Sequence, residues 1–140
     1  MIYSTEPLTT DAEVTGPVSA TLYVETTVVN TDFTVKLVDV HPDGKVFNVS
    51  DGILRRPYSK ADGAVAAAEP IRIELWPTSM LFKQGHRIRI EVSSSNFPRY
   101  DRNTNTGRDA ATDDSPVVAM QTIHNSSQQL SSILLPIVPR

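Results

Sequence analysis

Apolar residues along this chain recur mostly at every second position. Val18, Ala20, Leu22 and Val24 alternate with Ser19, Thr21, Tyr23 and Glu25. Ile71, Ile73 and Leu75 alternate with Arg72, Glu74 and Trp76, and Ile88, Ile90 and Val92 alternate with Arg87, Arg89 and Glu91. A period of two marks a strand with one buried face, because successive side chains point to opposite sides of a sheet. Phe33, Val35 and Leu37 repeat the pattern, and Val38 and Val40 add apolar residues on the second face. That predicts a central strand covered on both sides. His41-Pro42-Asp43-Gly44-Lys45 sets a proline at a bend and Asp-Gly at its close, so Val46 to Ser50 is predicted to return as a hairpin. Runs over 117–123 and 132–138 supply the last strands. Pro136 lies inside the final run and cannot donate to a ladder, which predicts an edge strand or a bulge there.

No segment sustains a 3.6-residue period. Ala64 to Ala68 is the one helix-friendly run, and it is short and flanked by Gly63 and Pro70. Many short strands separated by turn signals predict an all-β sandwich or barrel. The chain has 140 residues, which predicts one domain over residues 1–140. From Asn96 to Pro116 no period holds. A loop of that length in a compact domain is functional, interfacial or disordered.

Composition narrows the function classes. The chain is 39% hydrophobic and 21% charged, which is ordinary for a globular protein. A net charge of -3 favours neither nucleic acid nor an anionic membrane as partner. There is no cysteine, so disulfides and thiolate metal sites are excluded, which fits a reducing compartment. Met1 leads directly into strand-like Ile-Tyr-Ser-Thr with no basic and apolar leader, so a cytoplasmic location is expected.

The segment from Gly85 to Gly107, GHRIRIEVSSSNFPRYDRNTNTG, joins a regular strand to a polar loop with an aromatic tip. Its SSSNFPRYDRNTNTG half resembles the matching stretch in the C-terminal domain of the X-Pro dipeptidyl-peptidase-like hydrolases. That family includes cocaine esterases, α-amino-acid ester hydrolases and glutaryl acylases. The opening IYSTEPLTTDAEVTGPVSATLYV, the TDFTVKLVDVHPDGK and SDGILRRPY stretches, the strand pair LWPTSMLFKQGHRIRIEVSSSNFPR and the closing SSILLPIVP resemble the same domain in the same order. Composition does not separate a jelly roll from an immunoglobulin-like sandwich. The resemblance implies a jelly-roll β-sandwich of the galactose-binding-domain-like type. It covers only the family's third, non-catalytic domain and leaves out the α/β-hydrolase domain and its helical cap.

The chemistry of the chain agrees with that restriction. An α/β-hydrolase nucleophile sits in a G-x-S-x-G elbow. No glycine here is followed two residues later by serine. His41 lies in a turn, His86 at a strand start and His124 at a strand end, and none matches a triad position of the family. No two histidines stand at metal-ligand spacing. No catalytic residue, metal or cofactor is therefore expected, and the chain alone is expected to be inactive. Asp101, Asn103 and Asn105 alternate as in a calcium loop. The pattern then fails, because Thr106 and Thr112 stand where an EF-hand has Gly and Glu. Asx-turn chemistry is the alternative reading. Asp32 reads as a cap at a turn or strand start.

The residues expected to meet a partner are Trp76, Asn96, Phe97, Pro98, Arg99, Tyr100, Asp101, Arg102 and Asn103. Aromatic and arginine side chains are enriched in interface cores. On the resemblance, that partner is the α/β-hydrolase domain of a serine ester or amide hydrolase. Two other readings stay open, a carbohydrate-binding module with aromatic stacking platforms and a structural module that forms homo-oligomers.

Overall fold

The longest strand, β2 (Ala12–Thr26), organises one of two antiparallel sheets. The computed structural model describes residues 1–57 and 68–139, without the side chain of Glu69. Of the helix-friendly run at 64–68, only Ala68 falls among them, and Tyr58 also lies outside. Before β2 comes β1 (Ile2–Ser4), and after it come β3 (Asn30–Val40) and β4 (Val46–Pro57). Then follow β5 (Glu69–Phe82), β6 (Arg87–Ser93), β7 (Gln121–His124), β8 (Ser132–Leu134) and β9 (Ile137–Val138). No helix occurs among the described residues, so none there is long and apolar enough to cross a membrane.

One sheet runs β1-β6-β3-β4. In the other, β5 lines one side of β2, and β7, β8 and β9 share the opposite side. The inward residues of the two sheets form one core, including Val14, Val18, Leu22, Phe33, Leu37, Ile73, Phe82 and Val92. This is the all-β sandwich that the alternation predicts. β3 is central and buried on both faces, as Val38 and Val40 imply. β3 and β4 pair from Val40–Val46 outward, so the expected hairpin forms around His41 to Lys45. Pro136 splits the last run into β8 and β9. Its carbonyl accepts from the Thr15 amide at 3.0 Å, so the chain stays on β2 without a proline donor. β7 begins at Gln121 and not at Val117. Val117 instead donates its amide to the Thr104 carbonyl, and Met120 attaches to the β2–β3 turn, where the Thr27 amide donates to its carbonyl.

Two irregularities decide what faces outward. Between Gly16–Thr78 and Val18–Leu75 the β2–β5 register shifts by one, so Trp76 and Pro77 together oppose Pro17. The extra residue changes which parity faces the core. Ile71, Ile73 and Leu75 point inward before the bulge and Phe82 does after it. The second irregularity is a close crossing of β4 over β5. A Cβ at Gly52 would lie 2.2 Å from the Glu74 carbonyl oxygen, so only glycine fits. Beside it, the Ser50 hydroxyl donates to the Trp76 carbonyl at 2.6 Å, satisfying a group at the bulge.

Candidate docking surface

The loop after β6 lies on the outer face of the β3–β4 pair, and two buried carboxylates hold it there. Asp32 on β3 and Arg55 on β4 are register partners, and Asp51 lies on the same face four pairs further along. Asp32 is 1% exposed. Arg55 meets both of its oxygens, Nε to Oδ1 at 2.7 Å and Nη2 to Oδ2 at 2.8 Å. Such a fork is the geometry in which arginine pairs most strongly with a carboxylate. It raises the Arg55 pKa above its ordinary value, chiefly through the Asp32 hydrogen bonds.

Each loop residue named from the sequence can be placed on this frame. The Asn96 amide donates to Asp51 Oδ2 at 2.8 Å, and Arg99 Nε lies 3.2 Å from the same oxygen. Arg99 also sits with its guanidinium carbon 5.8 Å from the Tyr100 ring centre. Its pKa is raised by a hydrogen bond to Tyr100 first and by the Asp51 charge second. Arg55 reaches Asp101 at its carboxylate (3.1 Å) and its carbonyl (3.2 Å). Asn103 Nδ2 donates to Asp32 Oδ1 at 2.6 Å and to Asn30 Oδ1 at 2.7 Å. Arg102 stacks over the Phe97 ring at 4.8 Å. Phe97 is nonetheless 60% exposed, and the peptide bond to Pro98, itself exposed, is cis.

Asn96, Arg99, Asp101 and Asn103 thus turn toward the sheet, while Phe97, Pro98 and Arg102 turn outward. Trp76 is 64% exposed and sits apart on β5. It is tied to this group through Ser50, which holds its carbonyl, and the adjacent Asp51, which holds the loop. The alternation correctly puts Trp76 on the face away from Leu75.

The alternating Asp101, Asn103 and Asn105 side chains engage protein groups. Asn103 Oδ1 accepts from the Asn105 amide at 2.9 Å, an Asx turn, and Asn105 takes φ 65°. Asn105 Nδ2 donates to the Val117 carbonyl at 2.8 Å. Further along, the Thr106 hydroxyl donates to Asp113, and that bond is the first cause of an Asp113 pKa below the ordinary aspartate value.

Sequence reasoning missed the seat of the loop. Asp51 drew no attention, and Asp32 reads as a local cap when it is the buried centre of a long-range network. The available signal was an aspartate on β3 out of phase with the inward Phe33, Val35 and Leu37, and so on the strand's second face. Also unforeseen is an apolar cavity of about 180 Å³ between the sheets, lined by Tyr3, Leu22, Ile90, Ile123 and Ile133 among others.

Comparison with known proteins fits this picture. Residues 1–134 match the family described as the X-Pro dipeptidyl-peptidase C-terminal non-catalytic domain. The whole chain aligns with cocaine esterase of Rhodococcus sp. (strain MB1 Bresler) at 46% identity and spans 26% of that protein's length. Among solved structures, an aminopeptidase from the marine sediment archaeon Thaumarchaeota archaeon superposes with a TM-score of 0.86 at 29% identity. The match covers 99% of this chain and 26% of that one. An α-amino acid ester hydrolase superposes with a TM-score of 0.84 at 28% identity, over 99% of this chain and 25% of that one. A match over nearly the whole chain, with the same fold at both identities, leads to one conclusion: the chain belongs to the family of X-Pro dipeptidyl-peptidase C-terminal non-catalytic domains.

Proposed function

We propose that this polypeptide is the accessory domain of a serine ester or amide hydrolase. It packs against an α/β-hydrolase catalytic domain carried on the same chain, and it helps to wall that domain's substrate cleft. One observation carries the reading. The loop from Asn96 to Asn103 is pinned from beneath by Asp32, Arg55 and Asp51, while Phe97 remains largely in solvent. A large aromatic held rigidly outward at the end of an ordered polar loop loses little entropy when a partner covers it. Trp76, fixed outward by the β5 bulge, supplies a second anchor of the same kind. Hydrolysis of the ester or amide belongs to the partner domain, and the cysteine-free composition suits a cytoplasmic setting.

The test is made in the full-length parent hydrolase. Phe97→Ala combined with Trp76→Ala is expected to lower the melting temperature of the intact enzyme and to reduce its esterase turnover. Melting and turnover both at wild-type values would overturn the docking role.

A further inference from the structure

We propose that Asp39, His41 and His86 form a binding site for a first-row divalent metal ion of the zinc class. The three lie at the end of the sandwich opposite the pinned loop. β3 and β6 pair in register up to Val40–Arg87. Continuing that register by one residue sets His41 opposite His86, though 45 positions separate them in sequence. Asp39 precedes His41 by two residues, so both project to the same side of β3. That side is the inner one, since the register partner of Asp39 is the buried Ile88.

The donor atoms already converge. His86 Nδ1 lies 2.9 and 3.1 Å from the two Asp39 oxygens, and His41 Nε2 lies 3.1 Å from Oδ2. One ligand atom from each residue falls within 4.8 Å of the others. Zinc bonds to nitrogen and oxygen of about 2.0–2.2 Å put tetrahedral ligands roughly 3.3 Å apart. The two nitrogen-to-carboxylate separations are therefore close to the edges of such a tetrahedron. Binding needs the two imidazole nitrogens, the wider of the separations within 4.8 Å, to draw together while each parts slightly from Asp39, with the ion replacing the hydrogen bonds each imidazole now makes to that carboxylate. His41 would then carry its proton on Nδ1 and His86 on Nε2.

Ligand identity selects the metal. Two imidazoles and one carboxylate suit zinc, cobalt or nickel, whereas calcium and magnesium take oxygen ligands. Burial supplies rigidity and access together. Asp39 is buried and the His86 side chain is 12% exposed, while His41 is 34% exposed. His41 also packs against the exposed Phe47 at 4.8 Å between ring centres, so an ion would enter from the His41 side, the more open side of the cluster. The turn around Pro42 already meets the turn at Gly85, where a Cβ would sit 3.6 Å from the proline ring. An ion held there would clip the β3–β4 turn to the β5–β6 turn.

The experiment uses the untagged 140-residue chain after chelator treatment. Cobalt chloride is expected to give the visible absorption of a low-coordinate complex at one equivalent. Zinc chloride should bind in calorimetry and shift the ring resonances of His41 and His86 but not those of His124. His41→Gln and His86→Gln should each weaken zinc binding at least about tenfold, and His124→Gln should leave it unchanged. The resonance shifts are read on the unmodified protein, so they decide the matter even if His86→Gln fails to fold. No cobalt absorption and unmoved His41 and His86 resonances at millimolar metal would overturn the proposal. So would uptake that survives both substitutions.

Discussion

Asp32 has almost no contact with water, and Arg55 compensates for that loss with a two-point contact from the neighbouring strand. Removing the guanidinium would leave a buried carboxylate facing, among the described residues, only the Asn103 amide. Arg55→Ala is expected to cost about 2–4 kcal/mol in urea denaturation. That is below the fully buried case, because Arg55 is itself a third exposed. A loss under about 0.5 kcal/mol would mean the pair is inessential. Gly52 poses the opposite problem, an absence of room. Gly52→Ala drives a methyl into the Glu74 carbonyl, and at least about 3 kcal/mol of stability should be lost as β4 is forced off β5. A denaturation midpoint equal to that of the parent chain would show that the crossing can relax freely. Neither residue announces itself in the sequence. Their partners lie 22 or more residues away, so the local sequence carries no trace of either contact.

Individual strands were far more legible than their neighbours' identities. Alternation located the cores of β2, β3, β5 and β6, since one buried face dictates the pattern whatever lies across the sheet. It failed at the β5 bulge, where a residue inserted at Trp76–Pro77 moves the inward parity to Met80 and Phe82. It failed again before Gln121, where Val117 and Val118 have strand-like side chains but stay exposed and make no ladder. The loop from Asn96 to Pro116 offered residue types without geometry. Its aromatic tip was readable, yet the split between inward Asn96, Arg99, Asp101 and Asn103 and outward Phe97 depends on Asp51 and Asp32 beneath it. The far part of the loop carries a pH signature. Asp113 has a folded pKa below its unfolded value, so its contribution to stability is present at neutral pH. That contribution is lost as pH falls past the ordinary aspartate range and through the folded pKa. Asp113→Asn should remove this dependence. Protection factors of the amides near Thr106 and Val117 would fall in acid for the parent chain but change much less for the variant. An identical acid response in both would show that Asp113 is not the group involved.

At the scale of the molecule, the residues proposed for docking are not the ones that close the core. The core is closed by Phe33, Phe82, Leu37 and their neighbours, all turned inward. Phe97 and Trp76 contribute little to that closure. In the isolated chain their replacement by alanine should therefore change stability by less than about 0.5 kcal/mol each, while the full-length hydrolase is weakened. Comparable losses in both settings would make them ordinary packing residues. The family resemblance was legible from ordered stretches along nearly the whole sequence. The meeting of His41 with His86 was not, because only the pairing of β3 with β6 creates it.

The crossing of β4 over β5 has a consequence for how any partner can approach. Unpaired strand margins invite backbone addition by another chain, the route by which sheets grow and aggregate. Along β5 that route is obstructed, since Gly52 presses on the Glu74 carbonyl and Ser50 already occupies the carbonyl of Trp76. Near Trp76, recognition therefore has to proceed through side chains. An indole ring can be covered and uncovered without unzipping a ladder, so this stretch of the sandwich can join a larger enzyme without being templated into a longer sheet.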